Sequence, residues 1–550
     1  MYASKTLIVC CDGTWMNAIG KSTTDRPSSN VYRLTKVLGN SSRSGRSQVV
    51  LYQAGVGSSG DLSDKVMGGA FGKGLEEDIR EIYYFLCINY VDGDDIVLVG
   101  FSRGAFTARS VADLVASFGL LTEKGRDRFS RIFDDYENLG NLDRGPETFL
   151  CPDLTSYDDR QDWVAWEHHQ KLAITWKFTN THISTRVEHA FQALALDEPR
   201  YSFMPSLWER LETNTTTKLK QVWFPGAHSN VGGGLCDQQI ADITLAWMCD
   251  QLASIGVDCD LERMTSLFKD GLLYSAVHPF PHVPLLFRRR LIPWGSPPVY
   301  QNRMNPHRDH VDCPGKYDKS HKHPDAATPA PILWKSARPW ALGQTCYPDQ
   351  PLEFAGGLTV RLPGQFVRID PETNSKRPRN PLINTGERVH ASVRVRLACS
   401  GLCMSDQYEW TCEGLTGRKG RGDHANVDNF GNALPDRDFD RQERGSPVWR
   451  LERLDNAHGS VLPSYQTDSE SESAEGLYRL SKIAAAGQWQ WVKNERNCFS
   501  ETKSGFPVRL PEESPTGKWE RLLLGMTTGH QDVFTWAAAH TPANLLLNSN

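Results

Sequence analysis

The stretch Ile96-Val97-Leu98-Val99-Gly100-Phe101-Ser102-Arg103-Gly104-Ala105 decides the fold. Its first four residues are apolar without a polar break, the pattern of a short strand buried on both faces. From Ala108 the apolar positions recur at helical spacing through Val111, Val115 and Phe118, and Gly119 is placed to cap the helix C-terminus. Between strand and helix lies Gly100-x-Ser102-x-Gly104. A serine in so tight a turn sits in a strained conformation with its Oγ exposed, and the small flanking residues let the chain pass without clash. The helix N-terminus behind it offers N–H groups, that of Arg103 first, to a developing oxyanion. Two readings stand here: a nucleophile elbow built around Ser102, or a βα turn with an idle serine.

The same alternation continues outward. Leu7–Cys11 is an apolar strand ending in Asp12-Gly13-Thr14-Trp15, and Ser29-Asn30 is placed to cap a helix with Val31, Leu34 and Leu38 on one face. Val49–Tyr52 is a second strand, stopped by Gly55 and Gly57. Glu76-Glu77-Asp78 places negative charge on the first turn of a helix with Leu75, Ile79, Ile82 and Leu86 inward. Short apolar strands separated by amphipathic helices predict an α/β fold, a mainly parallel sheet flanked by helices. Functional loops in such sheets lie beyond the carboxyl ends of the strands. Asp12, Gly55, Ser102 and His228 each follow an apolar run, so all four are expected at one edge.

A serine hydroxyl needs a base to take its proton. The best-placed histidine is His228, in Val222-Trp223-Phe224-Pro225-Gly226-Ala227-His228-Ser229-Asn230-Val231-Gly232-Gly233-Gly234. It follows a strand, precedes three glycines that allow close backbone approach, and comes after the serine in the chain. The competing reading is a loop histidine bonded to backbone. Gly13 is where a second oxyanion N–H is expected, unless Asp12 merely caps its turn. Gly55-Val56-Gly57 lacks the Lys-Ser/Thr ending of a phosphate-binding loop and reads as a turn.

The set Asp12-Gly13-Thr14-Trp15, Tyr52-x-x-Gly55-Val56-Gly57, Gly100-Phe101-Ser102-Arg103-Gly104-Ala105, His189-Ala190…Leu196-Asp197-Glu198 and Phe224-Pro225-Gly226-x-His228-Ser229-x-Val231-Gly232-Gly233-Gly234 resembles one family. It is the uncharacterised α/β-hydrolase domain shared by type VI secretion phospholipase effectors and many fungal proteins. The likeness covers roughly residues 5–260, and Gly386-Glu387-Arg388-Val389-His390-x-Ser392-Val393-Arg394 is similar to the fungal branch. The resemblance implies an α/β-hydrolase-like sheet and a Ser-Asp-His triad that cleaves an acyl ester, with phospholipid the substrate of the bacterial effectors, a lipid or phospholipid ester expected here, and no metal or organic cofactor. One feature departs from the family. Members carry an apolar strand ending in Asp-Thr-Val-Gly ahead of the His-Ala…Leu-Asp-Glu motif, and that aspartate is a natural triad acid. Here the segment reads Trp163 to Phe178 and has no such motif. The acid then falls to Asp197 or to Asp242, although Glu198 and Arg200 make a salt-bridge role equally fitting for Asp197. The same gap sustains an alternative function, a catalytically impaired hydrolase fold that binds.

At 550 residues the chain exceeds what one core usually serves, and 39% hydrophobic with 23% charged residues marks a soluble globular protein. A formal charge of −5 argues against general attraction to nucleic acid. The 13 cysteines are odd in number and lack paired metal-ligand spacing, as in an intracellular chain with reduced thiols. Only five apolar residues follow Thr6, too few for a signal peptide, so a cytoplasmic location is expected. No run approaches the ~18 apolar residues of a spanning helix, which leaves peripheral contact as the mode of any membrane association. The expected division is a catalytic domain over 1–260 and an accessory or lid region over 261–550. Within the latter, Val389–Val395 and Trp489–Val492 read as strands, and the polar stretch Gly417 to Gly445 reads as a disordered insertion.

Overall fold

In chain order the strands are β1 (Lys5–Cys11), β2 (Ser47–Gln53), β3 (Asp95–Gly100), β4 (His189–Ala195), β5 (Lys218–Phe224), β6 (Val367–Ile369), β7 (Lys376–Pro381), β8 (Glu387–His390), β9 (Trp449–Leu454), β10 (Gln488–Lys493), β11 (Arg509–Glu513) and β12 (Leu546–Leu547). The helices are α1 (Asn30–Val37), α2 (Ala70–Asn89), α3 (Arg103–Phe118), α4 (Glu123–Arg126), α5 (Phe129–Asn138), α6 (His228–Gly232), α7 (Gln239–Ala253), α8 (Leu261–Val277), α9 (Ala391–Ala398) and α10 (Lys518–Thr528). This computed structural model describes residues 4–14, 16, 27–55, 70–138, 181–277, 340–341, 343, 345, 357, 359–369, 376–398, 449–454, 488–493, 508–528 and 546–547. The 163–178 segment and the 417–445 insertion lie outside these residues.

β1 is central to a parallel β2-β1-β3 sheet, with Leu7 opposite Val49 on one side and Ile96 on the other. Its side chains alternate between two layers. Leu7, Val9 and Cys11 pack with Ile79, Ile82 and Leu86 of α2 and with Val111 and Leu114 of α3. Ile8 and Cys10 join Val31, Leu34 and Val37 of α1 and Ile243 and Trp247 of α7. Burial on both faces is why this strand reads as an unbroken apolar run. Each such aliphatic side chain contributes about 1.5–3 kcal/mol through its removal from water.

The second sheet runs β12-β9-β10-β11-β8-β5-β4 among the described residues, parallel from β4 to β11 and antiparallel through β10 and β9. β8 pairs with β5 through Trp223 and Val389, so segments from both sides of residue 260 share one sheet. The accessory strands therefore extend the sheet. Val389–Val395 does not continue as a strand: it turns at His390 into α9, whose residues 391–397 are all buried. With every position covered there is no periodicity to separate helix from strand. Trp489–Val492 does lie in a strand, β10. The helix expected to start near Glu76 begins earlier, at Ala70. Together these elements form an α/β-hydrolase-like fold of the expected kind, its mainly parallel strands flanked by helices and divided between two sheets among the described residues.

β3 and β4 end their respective sheets among the described residues, and a cavity of about 1970 Å³ runs between them. Ile96–Gly100 of β3 and His189–Ala195 of β4 line it, and at the carboxyl ends it reaches Gly13, Ser102 and His228.

Candidate active site

Ser102 stands between β3 and α3 with φ 56° and ψ −123°. A non-glycine residue at positive φ is held there only when its surroundings over-determine it. The surroundings do. Phe101 N–H donates to Cys11 O at 3.1 Å, and Ala105 N–H donates to Ser102 O at 3.1 Å, locking the turn on both sides. A Cβ on Gly100 would meet Gly104 O at 2.3 Å, and one on Gly104 would meet Cys11 O at 2.2 Å. Both glycines of Gly-x-Ser-x-Gly are thus required by close backbone approach, one within the elbow and one against the end of β1.

His228 opens α6 just beyond β5. Its ring stacks on Phe101 with centroids 4.7 Å apart, and Phe203 meets it edge-on at 5.0 Å. Gly232 makes this stack fit, since a Cβ there would lie 1.8 Å from the Phe101 ring. The elbow and the histidine loop are joined through one phenyl ring. Nε2 of His228 is buried without a hydrogen-bond partner, and no bond connects it to Ser102 Oγ. Buried orphan nitrogens are rare and costly, and they concentrate where a protein needs an unspent acceptor. Burial pushes the imidazole down to about 4; the Glu198 charge opposes this and the Arg200 and Arg361 charges reinforce it. At neutral pH the ring is uncharged.

The carboxylate tied to this histidine is Glu198, which in the sequence reads only as a neighbour of Asp197. Glu198 Oε2 accepts from the His228 backbone N–H at 3.0 Å. Arg200 holds the same carboxylate with Nε to Oε1 at 2.7 Å and a second nitrogen to Oε2 at 3.0 Å. Burial raises the Glu198 pKa, but the Arg200 bonds and the His228 N–H outweigh it and keep the group below its usual range. Asp197 accepts from Gly226 N–H at 2.5 Å and donates its own N–H to Gly226 O, clasping the ends of β4 and β5.

Asp242 sits on α7 and gives its carboxylate to Arg33 of α1 in a buried ion pair. Arg33 also donates to Asn30 Oδ1, and Asn30 Nδ2 in turn donates to Val231 O and Ala241 O. The pair pins α1 against α6 and α7, and none of its bonds reaches His228. Replacing Asp242 by asparagine would leave Arg33 buried without its counter-charge, at a cost of about 3 kcal/mol. A urea denaturation midpoint lowered accordingly is the expected result; an unchanged midpoint would show that the pair contributes nothing.

Of the oxyanion donors expected from sequence, Arg103 opens α3, where the helix dipole favours negative charge. Gly13 N–H is engaged, donating to Asp12 Oδ1 at 2.7 Å, while Asp12 Oδ2 accepts from Tyr52 at 2.8 Å. Next to it Thr14 Oγ1, also on the cavity wall, is buried without a partner. Among the described residues no group of three or more His, Cys, Asp or Glu side chains could hold a metal ion. No helix among them is long and apolar enough to cross a membrane.

An elbow serine, a buried neutral histidine and a mainly parallel sheet define an α/β-hydrolase-like domain. Residues 5–150 and 160–251 match the family model described as "T6SS, Phospholipase effector Tle1-like, catalytic domain", which supports a phospholipase- or lipase-type hydrolase over that part of the chain. The Saccharomyces cerevisiae "Uncharacterized protein YEL023C" is 28% identical over 227 residues, covering 36% of this chain. The chain thus spans only 32% of the length of that yeast relative. No solved structure matches.

Proposed function

We propose that the domain is a serine hydrolase that cleaves carboxyl esters of lipids through an acyl-enzyme. One observation carries the reading: the strained Ser102 and the orphan Nε2 of His228 line the same cavity and are bridged by Phe101. Strain at a non-glycine residue and an unspent buried acceptor each reduce stability, and a serine hydrolase needs both. In the reaction Ser102 Oγ bonds to the ester carbonyl carbon as Nε2 takes its proton. The oxyanion is met by the Arg103 N–H and by Thr14 Oγ1, with Gly13 N–H joining once it leaves Asp12. Collapse expels the alcohol, which receives the proton from His228. Water then attacks the acyl-serine, gives its proton to Nε2 and releases the acid, and Ser102 regains its hydrogen. Glu198, anchored by Arg200, positions the His228 backbone and supplies the negative charge that faces the imidazolium.

The lipid preference is supported by the family match and by a cavity wall that includes Phe101, Phe203, Met204 and Val231. The direct test is labelling with a serine-directed fluorophosphonate, alongside short-chain and phospholipid esters as substrates. A labelled, ester-cleaving protein is expected. A folded protein that neither reacts with the probe nor turns over any ester would overturn the reading.

A further inference from the structure

Among the described residues Arg361 is a buried cation with no ion pair of its own. It comes from the segment after β5 and α8, well outside the motifs, yet it lines the cavity together with Ser102 and His228. The side chain is 1% exposed. One terminal nitrogen donates to Arg200 O at 2.7 Å, the other to Met204 Sδ at 3.2 Å, and Nε has no partner at all. No carboxylate among the described residues forms an ion pair with it. The nearest candidate, Glu198, is already committed to both Arg200 and the His228 N–H. Burial pushes the guanidinium down to about 10, a sign of a charge kept at a cost.

A buried charge is tolerated when something pairs with it, and a thioether sulfur is a weak acceptor that a better one displaces. The planar fork of a guanidinium suits two anionic oxygens at once. A phosphodiester presents two such oxygens and, being strongly acidic, stays charged even where burial opposes ionisation. We propose that Arg361 is a specificity-determining residue that receives the phosphodiester of an ester substrate, with Met204 holding the place until the anion arrives. The proposal rests on the hydrolase reading for its substrate but not for its binding chemistry.

The test separates the two. Dibutyl phosphate, which has no carboxyl ester, is titrated calorimetrically into the full chain and into R361M and R361K. Binding is expected to weaken tenfold or more in R361M and less in R361K; equal binding by all three overturns the proposal even if the protein proves to be an active esterase. In kinetics, the ratio of kcat/KM for dihexanoyl phosphatidylglycerol over dihexanoylglycerol is expected to fall at least tenfold in R361M. A ratio that does not move shows that Arg361 only props the wall. Should R361M fail to fold, Met204→Leu carries the test: loss of the competing sulfur at conserved volume is expected to tighten dibutyl phosphate binding several-fold, and unchanged binding refutes the displacement. If no ester is cleaved at all, the phosphate titration still decides.

Discussion

Replacing Ser102 by alanine is expected to abolish fluorophosphonate labelling and to lower ester turnover by about a million-fold, the loss typical when a nucleophile is removed from a serine-histidine pair. The backbone makes a second expectation available from the same position. Ser102 occupies φ 56° and ψ −123°, a region glycine enters freely and other residues enter at a cost. Ser102→Gly should therefore be as inactive as the alanine variant but more stable than the parent, by about 1 kcal/mol. Thermal melts of the three proteins give the order: glycine highest, with parent and alanine below it. Retained labelling in either variant would show that another serine reacts. A glycine variant that melts below the parent would show that the conformation is not strained.

The second large effect is at His228. Its removal to alanine should cost roughly four to six orders of magnitude in kcat, because the serine hydroxyl would lose the neutral imidazole proposed to take its proton. Its pH behaviour follows from burial. The base works only as the neutral ring, and the ring protonates near 4 in the fold against an ordinary value of 6.5. The acid limb of kcat/KM, which reports the free enzyme, should accordingly lie near pH 4. The sign for stability runs opposite to that of a histidine stabilised in an ion pair. As pH falls from 6.5 towards 4 the unfolded chain takes up a proton that folded His228 refuses, so this group's contribution to stability declines over that window. An acid limb near 6.5 would mean that the imidazole is solvated, and near-parental activity in the alanine variant would reduce it to a loop residue.

The parts of the molecule legible in its sequence are those where local pattern and burial agree. β1 is covered on both faces and so spells itself as an unbroken apolar run, β3 carries a similar run although only Val97 of it is buried, and the two elbow glycines mark the point where α3 turns back over Cys11. Ser29 accepts from Tyr32 N–H as the cap it resembles. Other features arise from contacts between distant segments, which no local pattern records. The Glu198 link to His228 runs through a backbone amide, invisible in side-chain chemistry. Arg361 enters the cavity from beyond the motif-bearing half. Asp242 has the spacing of an orienting acid, but Arg33 reaches it first from α1. His390 looks like a strand residue with a spare imidazole; in the fold it is sealed between Ser392 Oγ at 2.7 Å and Glu520 Oε1 at 2.9 Å, tying α10 to the sheet.

The open edges of β3 and β4 bear on how the molecule behaves in concentrated solution. Among the described residues each has a ladder partner on one side only, and a row of main-chain donors and acceptors at a sheet edge is a template onto which an extended peptide can add. Flexible tags, proteolytic fragments and neighbouring copies are all candidate guests, and the bound guest would narrow the passage to Ser102 without touching a single residue of its chemistry. Preparations of this protein should therefore be compared at several concentrations before any activity is assigned to them, because a guest seated on that seam would limit how much of the active site is reachable.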